Sequence, residues 1–171
     1  MENASMEKTA KKVEVAANVG IIIVVLLAVA FWAKGGLSHQ AESQHNIPIG
    51  SKLSLKTVNW QANGKSMVFA LSTTCHFCTE SASFYRELVR ECRKQNVRTV
   101  AVLPQPVNEA RLYLDNEGVT VDEVVQSPLP DIQVAGTPTL LLVDQGARIN
   151  AVWYGKLSEN REKDVFANLS R

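Results

Sequence analysis

The 171 residues are 46% hydrophobic and 20% charged, which suits one packed domain plus an additional apolar segment. Of eighteen basic and seventeen acidic side chains, four Lys and three Glu fall in residues 1–34, so fourteen of each sign remain beyond. A balanced domain without a basic run has no footprint for a phosphate backbone, which excludes nucleic acid as a partner class, and three cysteines are too few for a disulfide-stapled scaffold.

Residues 1–14, with Lys8, Lys11 and Lys12, are the predicted cytoplasmic N-terminus. Residues 15–34 are the predicted transmembrane anchor. No charge falls between Val15 and Lys34, and Ile21 to Leu27 are all large aliphatics. The length lies within the roughly 17–25 residues that a helix needs to span hydrocarbon. Trp32 suits an interfacial position, and the excess of Lys ahead of the span places residues 35–171 on the periplasmic or otherwise extracytoplasmic side. A cleaved signal peptide is the competing reading, because Ala28-Val29-Ala30 has the small-x-small form of a cleavage site. The long N-terminal region and the bulky Phe31-Trp32 argue against it. Either reading delivers the domain to a compartment where disulfides persist. Residues 35–48, rich in Gly and polar side chains, are predicted as a tether. His39 and His45 lie there without a third ligand nearby, so no metal site is expected.

Residues 49–171 are the predicted globular domain. Leu53, Leu55 and Thr57 alternate with polar residues and predict an initial strand, closed by an Asn63-Gly64 turn. Met67–Leu71 is a continuous apolar run, the pattern of a strand buried on both faces. Ser72-Thr73-Thr74 then offers three amino-caps, and a helix is predicted to run to about Lys94. Phe84, Tyr85, Leu88, Val89 and Cys92 share one face of it, Arg93 and Lys94 suit its last turn, and Asn96 suits its stop. Val97–Leu103 is the next buried strand, and Asn108–Asn116 a shorter helix ending at Gly118. Val121–Val125 and Thr139–Asp144 read as strands, Gln145-Gly146 as a hairpin turn into Ile149–Tyr154, and Glu159–Leu169 as the closing helix. That order implies an α/β domain with a mixed sheet covered by helices on both faces.

Cys75 and Cys78 carry the chemistry. A Cys-x-x-Cys at a strand-to-helix junction exposes its first sulfur to the free N–H groups of the helix start, which favour a thiolate at Cys75. Cys78, one turn on, is close enough to form a disulfide and more shielded. Cys75 is therefore the expected attacking thiol and Cys78 the resolving one. The same spacing occurs as half of a zinc site, but zinc needs two further ligands, and Cys92 falls on the core face of its helix, where it reads as a small hydrophobe. His76, when charged, favours the thiolate further; the alternative is an exposed polar residue without a role. Phe77 reads as a packing or substrate-contact surface.

The run LSTTCHFCTESASFYREL, with Gly136-Thr137-Pro138-Thr139 and LLLVDQGARI, resembles the thioredoxin-like redoxin family, and within it the membrane-anchored thiol–disulfide oxidoreductases of bacterial envelopes. The resemblance covers most of residues 49–171. It implies a thioredoxin-like fold and a cis peptide bond at Pro138, which lies against the active-site disulfide. It also implies a backbone contact to substrate from Thr137, protein disulfides or dithiols as substrates, a membrane electron donor, and no cofactor. Cytochrome maturation is one such relay. The sequence departs from the family in three places. Thr74 replaces the usual tryptophan, Phe69 stands where thioredoxins place a buried carboxylate, and Glu80 lies one residue short of an acidic position that many envelope reductases carry. The peroxiredoxins of the same superfamily are the runner-up, although their Pro-x-x-x-Thr/Ser-x-x-Cys loop requires proline at Val68. A non-enzymatic accessory subunit with a structural disulfide is the third reading.

Overall fold

A computed structural model describes residues 47–170 except Asn63. The predicted anchor, most of the tether, His39 and His45 lie outside the described residues. The first described residue is already fixed: Ile47 is buried and its N–H donates to Tyr154 Oη at 2.8 Å.

Five strands form one mixed sheet: β1 (Lys65–Ala70), β2 (Arg98–Leu103), β3 (Glu123–Gln126), β4 (Thr139–Asp144) and β5 (Ile149–Tyr154), in the spatial order β3-β2-β1-β4-β5. β1 is central, parallel to β2 and antiparallel to β4, and β2 is parallel to β3. The apolar runs that predict the strands explain this placement. Both faces of β1, β2 and β4 are covered, so neither parity of side chain meets water. β4 and β5 form the predicted hairpin, with a register shift between Leu142 and Val143. Asp144 Oδ1 accepts from the N–H groups of Gly146 and Arg148, each at 2.8 Å, and so shapes the turn.

The helices are α1 (His76–Glu80), α2 (Ala82–Lys94), α3 (Val107–Asn116) and α4 (Glu159–Leu169). Helix α2 buries Phe84, Tyr85, Leu88, Val89 and Cys92, the predicted stripe. They meet Met67, Phe69, Leu71, Ala101, Leu103, Leu140 and Leu142 from one sheet face. Full burial of a side chain such as Leu88 contributes about 1.5–3 kcal/mol. Helices α3 and α4 add Ala110, Leu114, Val165 and Leu169 to the same cluster. The opposite face, expected under helices as well, is covered by Ile47, Leu53, Leu55 and Val58 and by two short 3-10 turns, Trp60–Ala62 and Leu129–Ile132.

Both predicted helix stops hold. After α2, Asn96 is left-handed (φ 56°), with Asn96 N–H bonded to Arg93 O and Val97 N–H to Cys92 O at 2.8 Å. After α3, Gly118 (φ 68°) ends the helix in the same way through Asp115 O and Leu114 O. Two expectations are corrected. Leu53–Thr57 is no strand: a single bridge, Lys52 to Arg148, replaces it, because these residues alternate in burial without meeting a ladder. The helix predicted to run from the Ser72–Thr74 caps to about Lys94 is two helices that break at Ser81 (φ −89°, ψ 1°). Ser81 Oγ donates to Phe77 O at 2.8 Å, the back-bond that bends helices.

Candidate redox site

The site grows out of the end of β1. Leu71 N–H extends the ladder to Val102 O at 3.0 Å, and the chain then leaves the sheet as Ser72-Thr73-Thr74. The hydroxyls of this loop, expected to cap a helix, do something else. Ser72 Oγ and Thr74 Oγ1 are 3.1 Å apart, and Thr74 N–H donates to Ser72 Oγ at 3.4 Å. Two residues that the motif does not reveal hold the loop from outside. Gln105 Nε2 donates to Ser72 Oγ at 2.9 Å while its Oε1 accepts from Thr73 N–H at 3.4 Å, and Glu109 Oε1 accepts from Thr73 Oγ1 at 2.8 Å.

The amino-cap of α1 is Cys75 itself, in extended conformation (φ −88°, ψ 108°), its Sγ accepting from Cys78 N–H at 3.1 Å. Since α1 is only one turn long, this single N–H, rather than the dipole of a long helix, is what favours negative charge on the Cys75 sulfur. Cys75 and Cys78 are joined as a disulfide, with Cα atoms 5.2 Å apart. The two sulfurs are unequal. Cys75 is half-buried, whereas Cys78 is wholly buried in the cluster that contains Phe69. Phe69 is itself fully buried, its ring edge-on to Tyr85 at 5.6 Å, so an aromatic ring fills the place expected of a carboxylate.

Beside the disulfide His76 is exposed and lies 3.1 Å from Glu80 Oε1, while Lys156 Nζ donates to Glu80 Oε2 at 3.0 Å. The Lys156 hydrogen bond is the main reason that the Glu80 carboxyl stays below the usual carboxylate range, with burial opposing it and the charges of Lys156 and His76 adding to it. Phe77 is 54% exposed, so of its two sequence readings, packing or contact surface, it offers surface. Cys92 takes no part: it is buried at the end of α2, and burial, then Asp122, then Glu91, push its thiol up to about 12.

The Thr137–Pro138 bond is cis, as the resemblance implies. Thr137 is half-buried and Pro138 buried. Thr139, next in sequence, pairs with Ala70, the last residue of β1, so Pro138 and the Ser72–Cys75 loop leave adjacent strands at the same sheet end. No family model matches the chain, nor does any curated protein sequence. Among solved structures, the chain is similar to a protein described as a thiol:disulfide interchange protein from Chlorobium tepidum, at 19% identity over 71% of this chain and 98% of that one, with a TM-score of 0.55. A thiol:disulfide interchange protein from Bacteroides sp. is similar at 15% identity over 71% and 82%, TM-score 0.53. Peroxidoxin BcpB from Mycobacterium tuberculosis is similar at 16% identity over 65% and 81%, TM-score 0.50.

The fold is thioredoxin-like.

At these identities the likeness is one of architecture. Within the thioredoxin-like domain the five residues singled out from sequence divide into Cys75, His76 and Cys78 at the start of α1 and the cis Thr137–Pro138 pair just ahead of β4, the strand beside β1. Gln105 and Glu109 complete the setting. Their contacts span more than thirty residues and carry no motif; the one local signal is the position of Gln105, two residues beyond a buried strand and between two prolines.

Proposed function

We propose that the protein is a thiol–disulfide oxidoreductase that exchanges electrons with protein disulfides or dithiols through Cys75 and Cys78. The observation that carries this reading is the asymmetry of the pair: Cys75 is reachable and receives an N–H at its sulfur, while Cys78 is buried one turn behind it. In the reducing direction the Cys75 thiolate attacks a substrate disulfide, forming a mixed disulfide and releasing one substrate sulfur, which takes up a proton. Cys78 loses its proton and attacks Cys75, releasing the second substrate sulfur. Two electrons and two protons pass to the substrate, and the Cys75–Cys78 disulfide is regenerated as the product form of the enzyme. A donor dithiol must then reduce it, and the same steps reversed describe oxidation. Thr137 and Pro138 supply the facing wall, and His76 stands beside the attacking sulfur.

The reading extends to a single-pass protein of the cell membrane. It has an anchor at residues 15–34, a cytoplasmic N-terminus, and the thioredoxin-like domain on the extracytoplasmic side, fed by a membrane electron donor. The charge-free run and the Lys residues ahead of it support that arrangement. A reductive relay such as cytochrome maturation is the setting the resemblance implies. Peroxidase chemistry is the weaker reading, because Val68, where that loop needs proline, is a buried mid-strand residue paired to Val100 and Leu141.

The test is reduction of insulin disulfides by the full chain in detergent, alongside its reduction potential, repeated with Cys75→Ser. Turnover that requires Cys75, with a potential above about −300 mV, is expected. A lower potential without turnover would place the bond among inert structural disulfides and overturn the reading. Cys75-dependent consumption of peroxide in place of insulin would favour the peroxidase. Cys78→Ser, which cannot resolve the mixed disulfide, should trap partner proteins on Cys75 in membranes.

A further inference from the structure

We propose that Gln105 is a positioning residue for the redox pair: its side-chain amide clamps the Ser72–Thr74 loop and thereby fixes where the Cys75 sulfur sits relative to Cys78. The proposal rests on the reading of Cys75–Cys78 as a redox couple.

The two cysteines are not held alike. Cys78 lies inside α1, packed in the main core, and its position follows from the helix. Cys75 is the amino-cap and is held from two sides: its carbonyl accepts from Cys78 N–H and Thr79 N–H of α1 at 3.1 and 3.3 Å, and its own N–H donates to Ser72 O at 3.1 Å. Ser72 is therefore the anchor of Cys75 on the loop side, and it belongs to a loop with no ladder bonds of its own beyond Leu71. Gln105 is the residue that joins this loop to the rest of the domain through two bonds of opposite sense, donating to Ser72 Oγ at 2.9 Å and accepting from Thr73 N–H at 3.4 Å. A residue with only donors or only acceptors cannot make both. Glu109 adds a third tie through Thr73 Oγ1.

Gln105 is itself rigidly mounted. It stands between Pro104 and Pro106, in the connection from β2 to α3. Each proline fixes its own φ, and Pro106 also confines Gln105 to extended backbone. The connection is pinned further by Ser127 N–H to Leu103 O at 3.0 Å and Gln126 Nε2 to Pro104 O at 3.3 Å. A clamp on such a mount holds the Cys75 sulfur near Cys78 when the disulfide is open, which raises the effective concentration of one thiol toward the other.

The test is the equilibrium of the full chain in detergent with graded glutathione or dithiothreitol buffers, in which one protein disulfide and two buffer thiols exchange for a protein dithiol and one buffer disulfide. Gln105→Ala is expected to lower the equilibrium constant for disulfide formation about threefold to tenfold, a rise in potential of up to ~30 mV for a two-electron couple. Ser72→Ala is expected to act in the same direction, and the double variant to fall no further than the more affected single one. Gln105→Met keeps the length without the hydrogen bonds and is expected to match Gln105→Ala, so it carries the test if the alanine variant fails to fold. A Gln105→Met protein with the unaltered constant, or effects of Gln105→Ala and Ser72→Ala that add, would overturn the proposal. Because this equilibrium needs no protein substrate, loss of insulin turnover in the unaltered chain would sink the functional reading and leave this one standing.

Discussion

Phe69 offers the sharpest test of how the core supports the site. It is the penultimate residue of β1, opposite Ala101 and Leu140, fully buried, and edge-on to Tyr85 at 5.6 Å. Removing a buried Phe ring costs about 3–5 kcal/mol, and an edge-to-face aromatic pair is worth ~0.5–1.5 kcal/mol beyond its area. Phe69→Ala should therefore fall in the upper half of that range, about 4–5 kcal/mol, out of roughly 5–15 kcal/mol for a domain of this kind. For a domain of this size that lowers the melting temperature by roughly 15 °C. Phe69→Asp, which introduces the carboxylate that thioredoxins carry at this position, has a pH signature. The cluster around residue 69 is apolar and offers the carboxylate no cation, so burial raises its folded-state pKa above the unfolded value of about 3.9. Below the unfolded value both states are protonated and no charge penalty exists. As pH rises past it the unfolded chain ionises first, and stability is lost until the folded pKa is passed. Urea unfolding by circular dichroism from pH 3.5 to 8 should show the Asp variant converging on Phe69→Ala at the acid end and falling below it at neutral pH. A loss under about 1.5 kcal/mol for Phe69→Ala at unchanged denaturant slope would refute the packing argument. A pH-independent gap between the two variants would refute the electrostatic one.

Three further outcomes concern residues outside the site. In reduced native protein at pH 8, alkylation should spare Cys92 until the chain unfolds, because burial holds its thiol neutral; labelling of Cys92 in the native state would contradict that assignment. Since its folded value is raised to about 12 from 9.0, its contribution to stability is intact below the unfolded value and declines as pH climbs above it. Gly118→Ala should cost about 1–2 kcal/mol in thermal unfolding, since φ is 68° there and a Cβ meets Arg86 Cδ at 3.2 Å. Gly64→Ala, with open space around it, is the matched control, and equal losses at both positions would refute the left-handed stop.

Much of the scaffold is legible because it rests on burial, which a linear pattern reports directly. Met67–Ala70, Val100–Leu103 and Leu140–Val143 are continuous apolar runs, and each lies in a strand covered on both faces. Asn96 and Gly118 stop helices by a backbone geometry that few residues tolerate, so their positions are readable too. Hydrogen-bond partners at long range are another matter. Leu53 and Leu55 alternate and are buried, yet alternation reports which side chains face the core and not whether a neighbouring backbone is present to pair. The helix break at Ser81 depends on a hydroxyl choosing the Phe77 carbonyl over solvent, a choice that propensity does not encode. In the site, Cys75, Cys78 and Pro138 are visible as motifs, whereas Gln105 and Glu109 become visible only when β2 brings its far end alongside β1.

That last contact explains why the chemistry sits where it does. The strand order β3-β2-β1-β4-β5 sends the chain from β1 outward through β2 and β3 on one side, then back across to β4 on the other. The carboxyl end of β1 is therefore the place where the sheet changes direction, the position at which open α/β sheets leave a crevice. One wall descends from β2 and carries Gln105; the other precedes β4 and carries the cis Thr137–Pro138 pair. Between them the loop after β1 holds a half-exposed sulfur over a fully buried one. A disulfide serving only to staple the fold needs neither wall nor unequal exposure. The topology supplies the walls and α1 supplies the inequality, and together they leave Cys75 as the exposed end of the pair.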